Sequence, residues 1–282
     1  MVQQLTPDAI EALLVFYRDA GVDMALSEEA VDRFAEGEAE LAARQAAMSA
    51  QRSASRDEPG NGRSPAAAAR PVPVSAVGSP PAPDAAVYAA REAARSAADL
   101  DELKRILESF DGCALKATAS RTVFEDGARD ARVMFVGEAP GRDEDLAGKP
   151  FVGRSGQLLD RMLAAIGLDR KTNAYIANII PWRPPGNRTP TPQEIAICEP
   201  FIRRQIELKA PDLLVCVGGP STETLMGLKG IMKSRGRLQP FAVGDRQIQV
   251  IATLHPAYLL RSPIAKRQAW RDLLTIKAVL GL

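Results

Sequence analysis

The sequence predicts an α/β domain built on a central four-stranded parallel sheet flanked by helices. Four short apolar runs, ARVMFVG, AYIANII, DLLVCVG and RQIQVIATL, have the length and composition of buried strands. Segments of helical period separate these runs, as in sheets whose two faces are both covered by helices. A chain of 282 residues that is 46% hydrophobic is long enough to bury such a core.

Boundary signals support each helix between these strands. A helix is predicted over 155–167, where the helical period stops at a glycine, and a short one over 221–228. The helix over 191–208 opens with TPQE, a capping-box pattern with proline in the first turn. A closing helix is predicted over 265–282.

Composition divides the chain into three parts. Residues 1–40 form an acidic helical N-terminal segment, with an amphipathic helix over 7–20. Residues 41–83 are rich in Ala, Pro, Ser and Arg, which predicts a disordered linker. Residues 84–282 form the α/β domain, and its first part, 84–110, is helical.

Charge is distributed unevenly although the net charge is only +1. Residues 1–40 hold ten acidic and two basic residues, whereas residues 131–282 hold 22 basic and 13 acidic residues. A basic body suits a polyanion such as nucleic acid, although a solvated surface of mixed charge is the alternative. The sequence has no run of about 18 apolar residues, so no membrane span is expected. Three scattered cysteines indicate a reducing compartment rather than a disulfide scaffold.

Polar side chains follow three of the predicted strands. Glu138 lies in GEAPG after the first strand, Asn178 follows the second, and His255, the single histidine, follows the fourth. Each of these alone is compatible with a structural role in a turn, a buried amide or a strand end. Because ligands bind beyond the carboxyl ends of parallel strands, their convergence on one edge predicts a functional site.

Three blocks of sequence carry a resemblance to a known family. VMFVGEAPGRDEDLAGKPFVGRSGQLLD, NIIPWRPPGNRTPTPQEIAIC and HPAYLLR resemble the uracil-DNA glycosylase superfamily, and most closely its family 4, the bacterial and archaeal type. The resemblance covers roughly residues 110–282. It implies a hydrolase that flips uracil, or another deaminated base, out of single- or double-stranded DNA and cleaves its N-glycosidic bond, leaving an abasic site for base excision repair.

The resemblance assigns catalytic and base-binding roles to named residues. Glu138 corresponds to the carboxylate that positions or activates water, and His255 to the histidine that donates a hydrogen bond to uracil O2. Asn178 corresponds to the amide that reads uracil O4 and N3–H, which needs one acceptor and one donor. Phe151 corresponds to the aromatic that stacks on the base, with a core role as its alternative. The implied substrate-binding residues are Asn178, Phe151, Ala139 and Gly141, and a glycine at the last position leaves room for a broader range of bases.

Contacts to DNA are predicted in four segments after the first strand. Backbone amides before a helix, a glycine-rich turn and the basic loop KSRGR are suited to phosphate. Leu259 is a candidate wedge for the vacated base stack, although it can instead start a helix and face the core. The predicted DNA-binding residues are Arg154, Ser155, Gly156, Asn187, Arg188, Arg235, Arg237, Leu259 and Arg261.

The sequence departs from the family at the position of its iron–sulfur cluster. By resemblance, Cys113 and Cys198 occupy two of the four ligand positions, while Phe110 and Trp182 occupy the other two. We therefore expect no cofactor and no metal, with aromatic packing in place of the cluster. A four-iron, four-sulfur cluster is the alternative.

Two other functions belong to different classes. One is a protein that binds uracil-containing DNA without turnover or becomes covalently trapped on it, and the other is a degenerate iron–sulfur protein or a scaffold for its acidic N-terminal segment. In the superfamily such trapping uses a histidine in a basic loop, and the matching loop here, GIMKSRGRL, has none. We further expect a monomer in the bacterial cytoplasm, at the nucleoid. Its acidic N-terminal segment either binds a protein partner or folds back over the basic body as a weak competitor of DNA.

Overall fold

The computed structural model describes residues 83–282, and a six-stranded sheet lies at its centre. Its strand order is β1-β3-β2-β4-β6-β5. The strands are β1 (Asp126–Gly127), β2 (Val133–Gly137), β3 (Ala174–Asn178), β4 (Leu213–Val217), β5 (Gln239–Val243) and β6 (Arg246–Thr253).

The four predicted strands form the parallel centre of this sheet, β3-β2-β4-β6. This confirms the predicted four-stranded parallel centre, and two antiparallel edge strands that were not predicted, β1 and β5, extend the sheet to six strands. β1 has only two residues, and β5 contains Pro240. Proline cannot donate to a ladder of hydrogen bonds, and it is tolerated at a sheet edge.

Nine helices surround the sheet in the part of the chain that the structure describes. They are α1 (Pro83–Ser96), α2 (Leu100–Ser109), α3 (Arg142–Ala147), α4 (Arg154–Ala164), α5 (Pro192–Lys209), α6 (Gly219–Met226), α7 (Ile231–Ser234), α8 (Pro256–Arg261) and α9 (Lys266–Leu280). The predicted helical segment 84–110 is divided into α1 and α2. The helices α3, α7 and α8 were not predicted.

Both faces of the sheet are covered, which is why β2, β3, β4 and the second half of β6 are buried and mainly apolar. Helices α1, α2 and α5 pack on one face, where the core includes Met134, Tyr175 and Phe201. Helices α4, α8 and α9 pack on the other face, where the core includes Phe135 and Ile176. Every residue of β2, β3 and β4 is buried, so the carboxyl ends of these strands are rigidly placed.

Several expectations concern residues outside this description. The predicted helix over 7–20 and the predicted linker up to residue 82 lie outside the described residues. Among residues 83–282, no helix combines the length and the apolar composition needed to cross a bilayer.

Candidate active site

The carboxyl ends of the parallel strands open into a cavity of about 250 Å³. Nine of the predicted site residues line it: Glu138, Ala139, Gly141, Phe151, Ser155, Asn178, Asn187, Arg188 and His255. A larger cavity of about 470 Å³ lies between α1, α5 and the β5–β6 hairpin, and several arginines line it. None of the predicted site residues reaches that larger cavity, so the chemistry belongs to the smaller one.

Glu138 is the first residue after β2, and its side chain is half-buried at the cavity. The described residues provide no hydrogen bond to its carboxylate. Burial raises the pKa of Glu138 above its usual value, because the charged form loses solvation without a compensating donor. A carboxylate in this state is a better proton acceptor than one on the surface.

Asn178 ends β3, directly beside Gly137 at the end of β2. Its side chain is only 6% exposed. A Cβ atom placed on Gly137 would lie 2.5 Å from Asn178 Oδ1 and 2.6 Å from the ring of Phe151. Only glycine therefore allows the amide and the aromatic ring to approach each other over the end of β2.

Phe151 has a left-handed backbone conformation with φ of 54°, which is uncommon outside glycine. Its ring is 5% exposed, and its centroid lies 5.5 Å from that of His255 at an interplanar angle of 30°. The ring both lines the cavity and packs in the core of the α4 face. The Phe151 side chain therefore fits both predicted roles, at the cavity for stacking on a base and in the core.

His255 caps the N-terminus of α8, and this contact determines its tautomer. The backbone N–H of Ala257 donates to His255 Nδ1 at 3.1 Å, so a neutral ring carries its proton on Nε2. Burial, with a smaller contribution from Arg261, lowers the pKa of His255 to about 4. The imidazole is therefore neutral at physiological pH and offers one N–H donor.

The turn after β3 brings two predicted DNA contacts to the cavity rim. Arg183 Nε donates to Asn187 Oδ1 at 2.7 Å, which orients the amide. Arg188 pairs with Glu194 through two hydrogen bonds of 2.9 and 2.6 Å. Glu194 also belongs to the capping box of α5, so this ion pair ties the turn to a long helix.

Three basic residues outside the cavity are also available to a polyanion. Arg154 begins α4, Arg237 follows α7, and Arg261 ends α8. All three are exposed. Their positions agree with the predicted DNA-binding role, which stays a prediction.

The structure corrects three of the predicted DNA contacts. Leu259 is 1% exposed and packs in the core of the α4 face, because α8 turns it inward, so it is not an exposed wedge. Arg235 is paired with the buried Asp272, with Nε donating at 3.0 Å, so it anchors its loop instead of standing free for phosphate. Gly156 is buried, and a Cβ there would lie 1.9 Å from the carbonyl oxygen of Phe151, so close packing explains the glycine.

The two cysteines of the expected cluster remnant meet in a buried corner. The thiol of Cys198 donates to Cys113 Sγ at 4.0 Å. The indole N–H of Trp182 donates to Thr122 Oγ1 at 3.1 Å, and the ring of Phe110 packs edge-on against Phe201 at 5.1 Å. A four-iron, four-sulfur cluster needs four thiolates. Within residues 83–282 this corner supplies only two thiols, with aromatic side chains at the other two positions, so the residues present do not fit such a cluster.

Sequence reasoning missed one acidic residue of the site, Glu144. It lies in α3, is 8% exposed and lines the cavity. The available signal was its place in GEAPGRDED, in a first helical turn that contains three acidic residues. The remaining missed residues at the cavity lie in the proline-rich turn: Pro184, Thr189 and Pro190, together with Pro140.

Comparisons with known proteins agree with this geometry. The profile of the "Uracil DNA glycosylase superfamily" matches residues 124–274. A type-4 uracil-DNA glycosylase of Archaeoglobus fulgidus is 38% identical over 187 residues, which cover 64% of this chain and 94% of that protein. The type-4 enzyme of Thermotoga maritima is 41% identical over 151 residues, covering 53% and 77%. That of Pyrobaculum aerophilum is 35% identical over 180 residues, covering 62% and 91%.

Proposed function

Because the chain belongs to the uracil DNA glycosylase superfamily, we propose that the cavity at the end of the sheet receives a uracil flipped out of DNA. The chain is a uracil-DNA glycosylase, a hydrolase of DNA repair that acts on uracil-containing DNA. The observation that carries the assignment of the site is the convergence of Glu138, Asn178, Phe151 and His255 on one cavity.

Excision breaks the bond between uracil N1 and deoxyribose C1′. The bonding electrons leave with the base, and the sugar develops positive charge. Glu138 accepts a proton from a water molecule whose oxygen then bonds to C1′, and its negative charge also stabilises the sugar cation. Its raised pKa suits this proton transfer.

His255 stabilises the departing base. Its Nε2–H donates to uracil O2 as negative charge accumulates there, and the contact from Ala257 keeps the proton on that nitrogen. Asn178 supplies an acceptor for uracil N3–H and a donor for O4, and Phe151 provides a face on which the base stacks. These four contacts account for both recognition and bond cleavage.

Gly141 lines the base pocket at the position where, by the resemblance, a tyrosine excludes the thymine methyl in narrower members of the superfamily. A Cβ at this position would lie 2.8 Å from Glu144 Oε2, so a larger side chain would displace that carboxylate. Gly141 therefore adds no side chain of its own to the cavity wall. We propose that the enzyme accepts deaminated bases other than uracil on this ground.

The test of the proposed function is excision from single- and double-stranded oligonucleotides that carry one uracil, followed by alkali cleavage at abasic sites. Matched oligonucleotides with thymine at the same place control for nicking. We expect alkali-dependent cleavage at uracil alone. A folded protein that leaves both uracil substrates intact would contradict the assignment.

We propose that the buried corner works without an iron–sulfur cluster. Relatives of the type-4 class generally carry one, but Phe110 and Trp182 occupy two of the four positions here. The purified protein should therefore be colourless and contain far less than one iron per chain after anaerobic preparation. As a control, Cys113→Ser should leave the excision rate close to that of the wild type. Stoichiometric iron in the wild type would overturn the proposal. A Cys113→Ser variant that loses both bound iron and excision activity would also overturn it.

We further propose that the acidic segment 1–40 binds a protein partner and that the enzyme acts as a monomer at the bacterial nucleoid. The support for a partner is the sequence of 1–40, which is strongly acidic and whose predicted helix has an apolar face of Ile10, Leu13, Leu14 and Tyr17, whereas the body that carries every predicted site residue is basic. All of those site residues lie after Gly137, so the chemistry does not need the acidic segment.

A further inference from the structure

Glu144 makes more backbone contacts than its place in a short helix requires. Its Oε2 accepts from the N–H of Gly141 at 3.1 Å, and this bond belongs to the capping box of α3. Its Oε1 accepts from Val152 at 3.0 Å and from Gly153 at 2.9 Å. The last two bonds do nothing for α3, because they reach a loop eight and nine residues further along the chain.

These three bonds join the two loops that carry the chemistry. Gly141 belongs to the loop that begins with Glu138, while Val152 and Gly153 follow Phe151 directly. The carboxylate is buried, so water does not compete strongly for these donors. Glu144 thus fixes the loop that carries Glu138 relative to the loop that carries the Phe151 ring.

Phe151 needs such support because of its backbone conformation. A φ of 54° is unfavourable for a bulky residue, so neighbouring contacts must hold it. Arg170 holds the peptide that precedes the residue, since its Nη1 donates to the carbonyl oxygen of Pro150 at 3.1 Å, and its Nη2 also donates to the carbonyl oxygen of Phe151 at 2.7 Å. Hydrogen bonds with Glu144 and Arg170 therefore hold the backbone on both sides of Phe151.

We propose that Glu144 is a positioning residue that holds the Phe151 ring in register with Glu138 and His255, so that a flipped uracil is stacked where it is cleaved. This inference rests on the proposed function, since it assigns a role within the same site. An ionised carboxylate is suited to the task because it only accepts hydrogen bonds and has two oxygens for three donors.

Glutamine is the informative replacement. Its side chain has nearly the same size, but one of its two terminal atoms is an NH₂ donor. If the amide oxygen faces Val152 and Gly153, the NH₂ group opposes the N–H of Gly141. If the amide is turned over, its NH₂ group instead faces two other donors, the N–H groups of Val152 and Gly153. Glu144→Gln therefore breaks the link between the loops without leaving a cavity.

The experiment compares Glu144→Gln with Glu108→Gln, the same change at an exposed site on α2. We expect Glu144→Gln to lower kcat about tenfold to a hundredfold and to weaken inhibition by free uracil by roughly tenfold. Affinity for DNA with a tetrahydrofuran abasic analogue should stay close to the wild-type value, because phosphate contacts are unchanged. Glu108→Gln should match the wild type throughout.

A double variant separates positioning from general stability. In a Phe151→Leu background, adding Glu144→Gln should slow excision by less than about twofold more, because both changes act through one ring. Full multiplication of the two losses would overturn the proposal. So would equal weakening of uracil inhibition and abasic-DNA binding, since that would show a global defect.

Two further outcomes, a variant that does not fold and a wild type that releases no uracil, bear on different claims. If Glu144→Gln does not fold, hydrogen exchange in the wild type decides: slow exchange at the amides of Val152 and Gly153 supports the contact, and exchange at the rate of an exposed loop overturns it. If the wild type releases no uracil, the proposed function fails, while the exchange result still tests the role of Glu144 in holding the loop.

Discussion

Replacing Glu138 with glutamine is expected to slow uracil excision by about 10²- to 10⁴-fold while DNA binding stays near the wild-type level. The variant keeps the size and hydrogen-bonding reach of the side chain but can neither accept the proton of water nor oppose the sugar cation. Binding should survive because the predicted phosphate contacts are made by other residues. Single-turnover rates on a uracil oligonucleotide, measured beside affinity for an abasic analogue, check both halves.

The pH profile is the control for this assignment. Burial raises the pKa of Glu138, so kcat/KM of the wild type should fall as the pH drops through that raised value and the carboxylate is protonated. His255 has a pKa of about 4, so it stays neutral above pH 4 and adds no second acid limb to the profile there. The Glu138→Gln variant should lack this acid limb. Excision by Glu138→Gln at the wild-type rate, or an acid limb that is unchanged in this variant, would contradict the assignment of Glu138 as the residue that activates water.

Adding one methyl group at the end of β2 is expected to be almost as damaging. In Gly137→Ala the new Cβ would lie 2.5 Å from Asn178 Oδ1 and 2.6 Å from the Phe151 ring, well inside van der Waals contact. The strand is buried and cannot yield, so the amide and the ring must move apart. A displacement of about 1 Å in a site of this kind costs roughly 10²-fold in rate, and single-turnover excision measures it.

Gly219→Ala is the matched control for this substitution. A Cβ on Gly219 meets only Ile231, at 4.0 Å, and the residue begins α6, where alanine is favourable. We expect wild-type excision from this variant and a similar thermal midpoint. Wild-type excision from Gly137→Ala would instead show that the close approach of Asn178 and Phe151 is not needed for catalysis.

The strands that build the site were predictable because burial on both faces makes them continuous apolar runs. The sequence prediction for the centre of the sheet is confirmed, and with it the convergence of Glu138, Asn178 and His255. β1 was not predictable from local pattern. Its two residues pair with β3 only because the rest of the fold brings them there.

Contacts that local sequence patterns do not show explain the errors in the predicted site. Arg235 lies in a basic loop typical of phosphate binding, but Asp272, 37 residues later, takes its guanidinium. Leu259 was ambiguous between a wedge and the core until α8 fixed the direction of its side chain. Glu144 looked like one acid among three, because the two loop amides that distinguish it lie in the next segment.

The most direct test of the central claim is a crystal structure of the enzyme with its products, abasic DNA and uracil. The account predicts uracil in the cavity of Glu138, with O2 roughly 3 Å from His255 Nε2, the O4 and N3 edge against Asn178, and Phe151 stacked on the ring. Uracil bound in the arginine-lined cavity near α1, or bound here with its O4 and N3 edge turned away from Asn178, would contradict it.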